Sequence, residues 1–340
     1  VARVGDRPGA SLYCESCGAI YIVNENSNTV SVVNPATGVE EKQISVGDNP
    51  QGICAPADFS EIYVTNRNSN SISIIDTTTD SVSETVSLTG GPSDCEVNDT
   101  DGELYVSLDD YGTVATVDTS TMQKQGETSV PQDSDICGTD DDNGYIYVTN
   151  RNENTLTVMD GGTFETIETV TVGEGPSGCA VSDVGGSIFV ANKNDNTVTV
   201  INSETFENER TITLPPGDEG PDCSSGCGVD ESTYQVFISN SNSNTVSIIG
   251  GSTMTVEDSI NTGDAPACAV PGESTHEIYI TNRNSNTVSI ISNPLPDTPV
   301  DQTPPGAPSQ CFATGKSDSA DVAWTTVPAY DLAGFNIYRS

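Results

Sequence analysis

The chain has 340 residues, with 50 acidic side chains against 11 basic ones, so its formal charge is −39. This charge excludes a nucleic-acid binder that works through a basic surface. No apolar stretch approaches the ~20 residues that a membrane-crossing helix needs, so we expect no membrane span. The single histidine, His276, leaves little room for catalysis or metal binding by several imidazoles.

One pattern recurs seven times along the chain, each time as a strand-like run of five residues. The copies begin 42, 42, 42, 42, 48 and 42 residues apart, at Ile20, Ile62, Leu104, Ile146, Ile188, Val236 and Ile278. Such a period is typical of a β-propeller blade built from four short strands. In the fifth copy we predict strands near 178–181, 187–192, 196–201 and 209–214. The sequence therefore predicts an all-β, seven-bladed β-propeller with four-stranded blades.

The two ends of the repeat array are expected to meet. The seventh copy reaches proline after its third strand and so lacks an outer strand. Residues 1–4 align with the end of an outer strand in the fourth copy. We therefore predict that this N-terminal strand completes the seventh blade, which would close a propeller of residues 1–292 and remove exposed sheet edges.

The repeated core Tyr-Val-Thr-Asn follows a Gly-x-x-Pro turn and precedes runs such as Asn-Thr-Val-Ser-Ile-Ile. Over residues 1–292 the chain resembles the YVTN family of β-propeller repeats. The resemblance implies a seven-bladed propeller of the kind common in exported and cell-surface proteins, including surface-layer proteins, and it implies no single activity. The third copy departs from the pattern, because Leu108-Asp-Asp-Tyr-Gly replaces its asparagine-rich turn.

The C-terminal part of the chain has a different composition. Six of the 16 residues from 293 to 308 are proline, which predicts an extended linker over 293–307. Residues 308–340, with Trp324 as the expected core tryptophan, resemble the first strands of a fibronectin type III domain. Because such a β-sandwich takes ~100 residues, we expect that this partial sandwich either continues in a longer chain or is completed by a neighbouring subunit.

Ten cysteines in an acidic chain favour an oxidising, extracellular setting. Inner-strand cysteines recur in phase and are either small buried hydrophobic residues or disulfides between adjacent blades. We favour disulfides, with the pairs Cys54–Cys95, Cys137–Cys179 and Cys227–Cys268. The full set of candidate cysteines is Cys14, Cys17, Cys54, Cys95, Cys137, Cys179, Cys223, Cys227 and Cys268. No histidine follows the close cysteine pairs, which excludes c-type haem attachment.

Four of the basic residues stand at one repeated position, in the turn after the second strand: Arg67, Arg151, Lys193 and Arg283. The loops expected on the same face of the propeller carry acids, namely Asp6, Asp48, Glu174 and Asp264. The first explanation is ion pairs between turns and loops, worth ~0–1 kcal/mol each. The alternative is a face that binds an anion or a glycan. We prefer the first explanation.

Acidic turns supply candidate oxygen ligands for calcium at Asp99, Asp101, Asp140 and Asp142, although a hairpin needs a turn there in any case. We expect no other cofactor. The chain has no glycine-rich phosphate loop and no serine nucleophile elbow, so we identify no catalytic residue. One sequon for N-glycosylation begins at Asn98.

Together these patterns predict a non-catalytic, extracellular or cell-surface protein with a structural or adhesive role. It would act through protein–protein contacts, as a surface-layer, matrix or filament subunit that self-assembles. The alternative is a propeller module that binds a glycan or peptide on the basic turn face. A propeller enzyme, lactonase-like or cofactor-dependent, is the third hypothesis, because no catalytic set is visible.

Overall fold

The computed structural model describes residues 1–140, 143–218, 220–221, 227–272 and 274–293, together with the backbone of residues 311–316 and 319–324. The chain divides into two compact units, Val1–Asp297 and Thr298–Ser340. The described strands of the first unit form seven four-stranded antiparallel sheets. The unit is therefore a seven-bladed β-propeller, as predicted. The described part of the chain contains no helix long and apolar enough to cross a membrane.

The first strand, β1 (Ala2–Arg3), belongs to the last blade, and blade 1 begins with β2. Blade 1 contains β2 (Pro8–Cys14), β3 (Ala19–Asn24), β4 (Thr29–Asn34) and β5 (Val39–Ser45). Blade 2 contains β6 (Pro50–Cys54), β7 (Glu61–Asn66), β8 (Ser71–Asp76) and β9 (Ser81–Ser87). Blade 3 contains β10 (Pro92–Asn98), β11 (Glu103–Leu108), β12 (Thr113–Asp118) and β13 (Gln123–Ser129). Blade 4 contains β14 (Ser134–Asp140), β15 (Tyr145–Asn150), β16 (Thr155–Asp160) and β17 (Thr166–Thr171).

The remaining blades repeat this order. Blade 5 contains β18 (Pro176–Ser182), β19 (Ser187–Asn192), β20 (Thr197–Asn202) and β21 (Asn208–Thr213). Blade 6 contains β22 (Gly228–Asp230), β23 (Gln235–Asn240), β24 (Thr245–Gly250) and β25 (Thr255–Asn261). Blade 7 contains β26 (Pro266–Gly272), β27 (Glu277–Asn282) and β28 (Thr287–Ser292), with β1 as its outer strand. The first strands of neighbouring blades contact each other around the whole ring and form its inner wall.

The core lies between neighbouring blades. The second strand of each blade is buried on both faces, whereas the outer fourth strands are mostly exposed. The third residue of each second strand is a large aromatic ring, and most of these rings are fully buried: Tyr21, Tyr105, Tyr147, Phe189, Phe237 and Tyr279. Each buried ring removes ~150–250 Å² from water, so this single repeated position contributes much of the stability of the ring.

The repeated asparagine at the end of the second strand ties the second strand to the third. In blade 5, Asn192 Nδ2 donates to Thr197 Oγ1 at 3.0 Å and to Thr199 Oγ1 at 2.9 Å. The same pair of bonds is made by Asn24, Asn66, Asn150, Asn240 and Asn282. Blade 3 has Leu108 and Ala115 at the corresponding positions, so an apolar contact replaces the hydrogen bond there.

The ring closes through its N-terminal strand. β1 pairs with β28, with Ala2 opposite Val288 and Arg3 opposite Thr287. Beyond this strand, the backbone N–H of Arg7 donates to Asn286 Oδ1 at 2.9 Å. The predicted completion of the seventh blade by residues 1–4 is therefore confirmed.

Three disulfides are present in the described residues. Cys54–Cys95 joins blades 2 and 3, Cys137–Cys179 joins blades 4 and 5, and the third links Cys14 to Cys17 within one hairpin. The Cα–Cα distances of the two inter-blade bonds are 5.9 and 5.1 Å. These are two of the three inter-blade pairs that we predicted. Disulfides of this kind are typical of proteins from an oxidising compartment.

The third predicted pair, Cys227–Cys268, is wrong. Cys268 is a buried free thiol, whereas Cys227 is disulfide-bonded and Cys223 lies outside the described residues. The reason is the direction of the side chain: Cys268 Sγ contacts the carbonyl oxygen of Ser11 at 3.7 Å, on the side of blade 1 rather than blade 6. Blade 1 has no cysteine at this position, so the thiol stays free.

The second unit is described only in part. β29 (Cys311–Lys316) pairs antiparallel with β30 (Ser319–Trp324), with Cys311 opposite Trp324. The rest of the predicted fibronectin type III region, and the predicted linker beyond Asn293, lie outside the described residues. The fibronectin type III assignment therefore stays a prediction.

Candidate functional site

A polar cavity of about 330 Å³ lies at the axis of the propeller. It is axial because its lining comes from six of the seven blades. The side chains that line it are Arg7, Glu25, Gln51, Arg67, Ser93, Asp94, Asp109, Asp133, Asp135, Arg151, Lys193 and Arg283. Its volume falls at the lower end of the ~300–1,000 Å³ typical of small-ligand sites. Five of the 11 basic residues of the chain are therefore gathered at one cavity.

Half of the lining comes from one repeated position, the first residue after the second strand. Blades 1 to 7 place there, in order, Glu25, Arg67, Asp109, Arg151, Lys193, Ser241 and Arg283. The four basic residues predicted as a candidate face are thus brought together by the structure. Sequence reasoning missed Glu25 and Asp109, although they stand at the same position of the repeat and could have been found by aligning the copies.

Ion pairs connect neighbouring members of this set. Arg67 Nη1 lies 2.8 Å from Asp109 Oδ2, and Arg67 Nη2 lies 3.7 Å from Asp110 Oδ1. On the opposite side, Arg7 Nε and Arg283 Nη2 lie 2.8 and 3.3 Å from the two carboxylate oxygens of Glu25. The side chain of Glu25 is only 11% exposed, so this pairing is better shielded from water than an ordinary surface ion pair.

These contacts differ from the expected ion pairs with the loop acids. Asp48 accepts a hydrogen bond from Asn28 Nδ2 at 2.9 Å, and Asp6 accepts hydrogen bonds from Asn26 and Asn286. These two loop acids therefore organise the asparagine-rich turns. Arg7, Arg67 and Arg283 instead pair with carboxylates that line the cavity.

Arg7 is held in an unusual backbone conformation. Its φ is 56°, in the left-handed region that disfavours most side chains. The equivalent residues of the other blades are Asn49, Gly91, Asp133, Gly175, Gly220 and Ala265, all of which have positive φ. An arginine at this position costs about 1 kcal/mol relative to glycine, yet its guanidinium reaches the cavity. Because all seven blades adopt this conformation, the turn itself requires it, and what sets Arg7 apart is its long charged side chain.

The opposite wall, from blades 3 and 4, is acidic. Ser93 Oγ lies 2.6 Å from Asp109 Oδ1 and 3.3 Å from Asp135 Oδ1. Because a hydroxyl carries one hydrogen, it can donate to only one of these carboxylates at a time. Asp94 lies next to this group and accepts a hydrogen bond from the backbone N–H of Cys95 at 2.9 Å. Apart from the ion pair of Asp109 with Arg67, the donors shown for these three carboxylates are the Ser93 hydroxyl and the backbone N–H of Cys95.

Burial and mutual repulsion perturb the acids of this wall. Burial first, and then the charge of Asp109, raise the pKa of Asp135 to about 6, against an opposing effect of Arg151. Burial first, and then the charge of Asp135, raise the pKa of Asp94 well above its usual range. The cavity has as many carboxylates as basic groups. A proton on Asp94 or Asp135 therefore leaves the cavity with a net positive charge.

The predicted calcium turns are held by protein donors. Asp101 accepts hydrogen bonds from the backbone of Glu103 and from Tyr105 Oη, each at 3.0 Å. Asp140 accepts from Asn143, and Asp99 accepts from the backbone N–H of Ala57 at 2.7 Å. The fourth candidate, Asp142, lies outside the described residues. Among the residues described, no group of three or more His, Cys, Asp or Glu side chains is arranged to hold a metal ion.

The fold and the cavity define the class of the protein as a seven-bladed β-propeller with a charged axial site. Residues 4–98 match the family described as YNCE-like beta-propeller, and residues 107–214 match the family described as lactonase, 7-bladed beta-propeller. A search of curated protein sequences finds no match.

Two solved structures share the fold over most of the chain. Hydrazine synthase from Kuenenia stuttgartiensis is similar with a TM-score of 0.72 and 16% identity, covering 87% of this chain and 98% of that one. The Cps50 (Swd1) β-propeller domain from Myceliophteria thermophila is similar with a TM-score of 0.70 and 9% identity, covering 85% and 96%. At these identities the likeness concerns the fold alone.

Proposed function

We propose that the protein is a non-catalytic extracellular binding module, which recognises a small anionic ligand or the anionic group of a glycan in its axial cavity. One observation carries the proposal: five of the 11 basic residues of a chain with charge −39 line this one cavity. The two inter-blade disulfides and the acidic composition support an extracellular setting.

The chemistry of the lining supports an anion. Four of the five basic residues are arginines, whose planar guanidinium groups donate paired hydrogen bonds to carboxylate, sulfate or phosphate oxygens. The acids elsewhere on the surface have little effect on a ligand in the cavity, because salt screens exposed charges that lie more than ~8 Å apart under physiological conditions. Within the cavity five basic groups stand with five carboxylates, so the arrangement of these charges decides which ligands bind.

The structural or adhesive role that the sequence favoured is now our second proposal. A surface-layer, matrix or filament subunit would use the outer faces of the blades and the C-terminal unit for protein–protein contacts. The described residues show no built site for such contacts, whereas they do show a built cavity. A cell-surface protein with a rigid propeller can combine the two roles, because assembly and the axial site use different surfaces.

Hydrolysis in the same cavity is a third hypothesis, favoured by the lactonase family match over residues 107–214. That segment includes Asp109, Asp135, Arg151 and Lys193, and a carboxylate with a pKa of about 6 is suited to general-base chemistry near neutral pH. Turnover of simple lactones by wild-type protein, abolished in Asp135→Asn, would favour this hypothesis over binding alone.

The proposal is tested by calorimetric titration with acetate, glucuronate, N-acetylneuraminate, sulfate and phosphate. We expect at least one of these anions to bind, and its affinity to fall at least tenfold in Arg283→Ala and in Arg7→Asn. Asparagine occupies the equivalent left-handed position of blade 2, so the second variant preserves the backbone. Arg210→Ala, on the exposed strand β21, is the matched control and should bind normally.

Two results would contradict the binding proposal. Either no anion binds, or binding is unchanged when Arg7 and Arg283 are replaced. Size-exclusion chromatography and electron microscopy of the same samples test the assembly proposal separately. Regular filaments or sheets would support a structural role, whether or not the cavity binds a ligand.

A further inference from the structure

The charges of the axial cavity are separated between its two sides. Where blades 7 and 1 meet, two guanidinium groups, Arg7 and Arg283, contact the single carboxylate of Glu25. On the side of blades 3 and 4, the lining includes Asp94, Asp109, Asp133 and Asp135. Among the described residues that line the cavity, positive charge is therefore in excess on one side and negative charge on the other.

The nearby arginines do not neutralise the acidic side. Arg67 contacts two carboxylates, Asp109 and Asp110, so its single positive charge is already outweighed by these two negative charges. Arg151 stabilises the ionised form of Asp135, yet the net effect of the surroundings on that carboxylate is still unfavourable. The hydroxyl of Ser93 supplies one hydrogen between two carboxylate oxygens. This side of the cavity is short of both positive charge and hydrogen-bond donors.

We propose that the ligand of the cavity is zwitterionic, with a carboxylate that contacts Arg7 and Arg283 and an ammonium group that contacts Asp109 and Asp135. The anionic half of this ligand rests on the proposed function, and the cationic half is new. Its chemical class is that of amino acids, amino-sugar acids and peptide ends, in which the two charges lie a few bonds apart.

The ammonium group follows from what the acidic wall lacks. An ammonium carries three hydrogens, so it can donate to both carboxylates beside Ser93 at once. Its charge also relieves the repulsion among Asp94, Asp109 and Asp135, which a neutral sugar hydroxyl cannot do. Charge-assisted hydrogen bonds of this kind are about twice as strong as neutral ones. A ligand with a carboxylate alone would not reduce the repulsion among these three carboxylates.

The test compares amino acids with partners that lack only the positive charge. The probes are glycine, β-alanine, γ-aminobutyrate and ε-aminocaproate, which place the two charges at increasing separation, and the N-acetyl derivative of each. Binding is measured by calorimetry near neutral pH. We expect one of the free amino acids to bind at least tenfold more tightly than its N-acetyl derivative.

Variants assign the two halves of the ligand. Asp109→Asn and Asp135→Asn should each remove most of the preference for the free amine while carboxylate binding persists. Arg7→Asn and Arg283→Ala should weaken both members of a probe pair. Glu257→Gln, on the exposed strand β25, should leave both affinities unchanged. This pattern separates a cation subsite from a general loss of folding, which would weaken both members in every cavity variant.

Proton linkage gives an independent readout. An ammonium beside Asp135 favours its ionised form against the opposing charges of Asp94, Asp109 and Asp133, so binding near pH 6 should release protons. Binding of a ligand that has a carboxylate alone should be accompanied by proton uptake or by no change in the number of bound protons. The sign is obtained by calorimetry in two buffers that differ in ionisation enthalpy.

Three outcomes decide the inference. Preference for the free amine together with proton release supports it. Equal binding of a free and an N-acetylated probe overturns it, but leaves the anion-binding proposal standing. If none of these probes binds, the zwitterion inference is also overturned, and the separate panel of anions still decides the proposed function.

Discussion

Ionised Asp135 is expected to destabilise the folded propeller at neutral pH, and the variant Asp135→Asn tests this expectation. In the folded protein the pKa of this carboxylate rises from 3.8 to about 6, first because of burial and then because of the charge of Asp109. A shift of one pKa unit corresponds to about 1.4 kcal/mol, so a shift of roughly two units corresponds to about 3 kcal/mol.

The sign of the effect follows from proton counts. Between about pH 4 and pH 6 the folded state holds a proton on Asp135, whereas the unfolded state has lost it. Stability therefore falls as the pH rises through this window, and levels off above it. Across this pH window the unfolding free energy of the wild-type protein should fall by about 3 kcal/mol because of Asp135 alone. The variant should not show this fall, because asparagine does not titrate. Asp94 acts in the same direction in both proteins.

The measurement is urea-induced unfolding of both proteins at a series of pH values between about 4 and 8. The difference in unfolding free energy between variant and wild type should grow by about 3 kcal/mol, in favour of the variant, as the pH rises. Asp133→Asn is the matched control, because this exposed carboxylate lines the same cavity and its positive φ suits asparagine. A difference that does not change with pH would refute the proposed burial of charge at Asp135.

Three further predictions concern the fold. Replacing both Cys137 and Cys179 by serine should lower the unfolding free energy by about 2–4 kcal/mol, measured by urea unfolding without reductant, because the bond closes a loop of 42 residues. Asn192→Leu should cost about 1–3 kcal/mol by removing the amide that donates to Thr197 and Thr199, and the double variant with Thr199→Ala should recover only part of this, because the backbone N–H of Gly173 also donates to Thr199 Oγ1. Asn98 is fully buried, and its Oδ1 accepts two backbone hydrogen bonds, so an N-glycosidase should leave the mass of the folded protein unchanged. A mass loss would contradict that placement of Asn98.

The repeat made the propeller predictable. Seven copies in phase specify seven blades, and the missing outer strand of the last copy specifies how the ring closes. Both inferences depend only on spacing and on the alternation of apolar residues, which strand geometry ties directly to the fold. In the fifth copy, the predicted strands begin and end within two residues of β18, β19, β20 and β21.

Cysteine pairing was less predictable, because it depends on the register of the inner strands. The first strands of blades 1 to 5 and of blade 7 all contain a register shift, which lies between Pro50 and Ile53 in blade 2 and between Pro266 and Cys268 in blade 7. A bulge of one residue turns every following side chain to the other face of the strand. Cys54 and Cys268 both stand one position away from the other inner-strand cysteines, yet only Cys54 has a partner within reach. Sequence spacing does not show where such bulges fall.

The sequence indicated the basic residues of the repeated turn position, but not the residues that the loops and first strands add to the candidate site. Arg67, Arg151, Lys193 and Arg283 share a column of the repeat, and the same column contains Glu25 and Asp109. Arg7, Asp94 and Asp135 come from the loops and first strands, which lie near the other group only after the ring has closed. Their nearness is a product of tertiary structure, so no local pattern could reveal it. The unusual arginine at a position otherwise occupied by small or turn-forming residues was the one available signal.

The way the seven copies differ supports a ligand with two unlike ends. At buried positions the copies agree, since each blade packs against a nearly identical neighbour. A ring of identical blades would present one residue seven times around the axis, and such a site would suit a symmetric ion. Here the axial column reads Glu, Arg, Asp, Arg, Lys, Ser and Arg, and the strongest departures are the acids of blades 1 and 3. Asp109, Asp94 and Asp135 make one side of the cavity negative, whereas the opposite side is positive. A directional charge pattern provides no advantage for a symmetric anion, but it orients a ligand whose positive and negative groups lie at opposite ends.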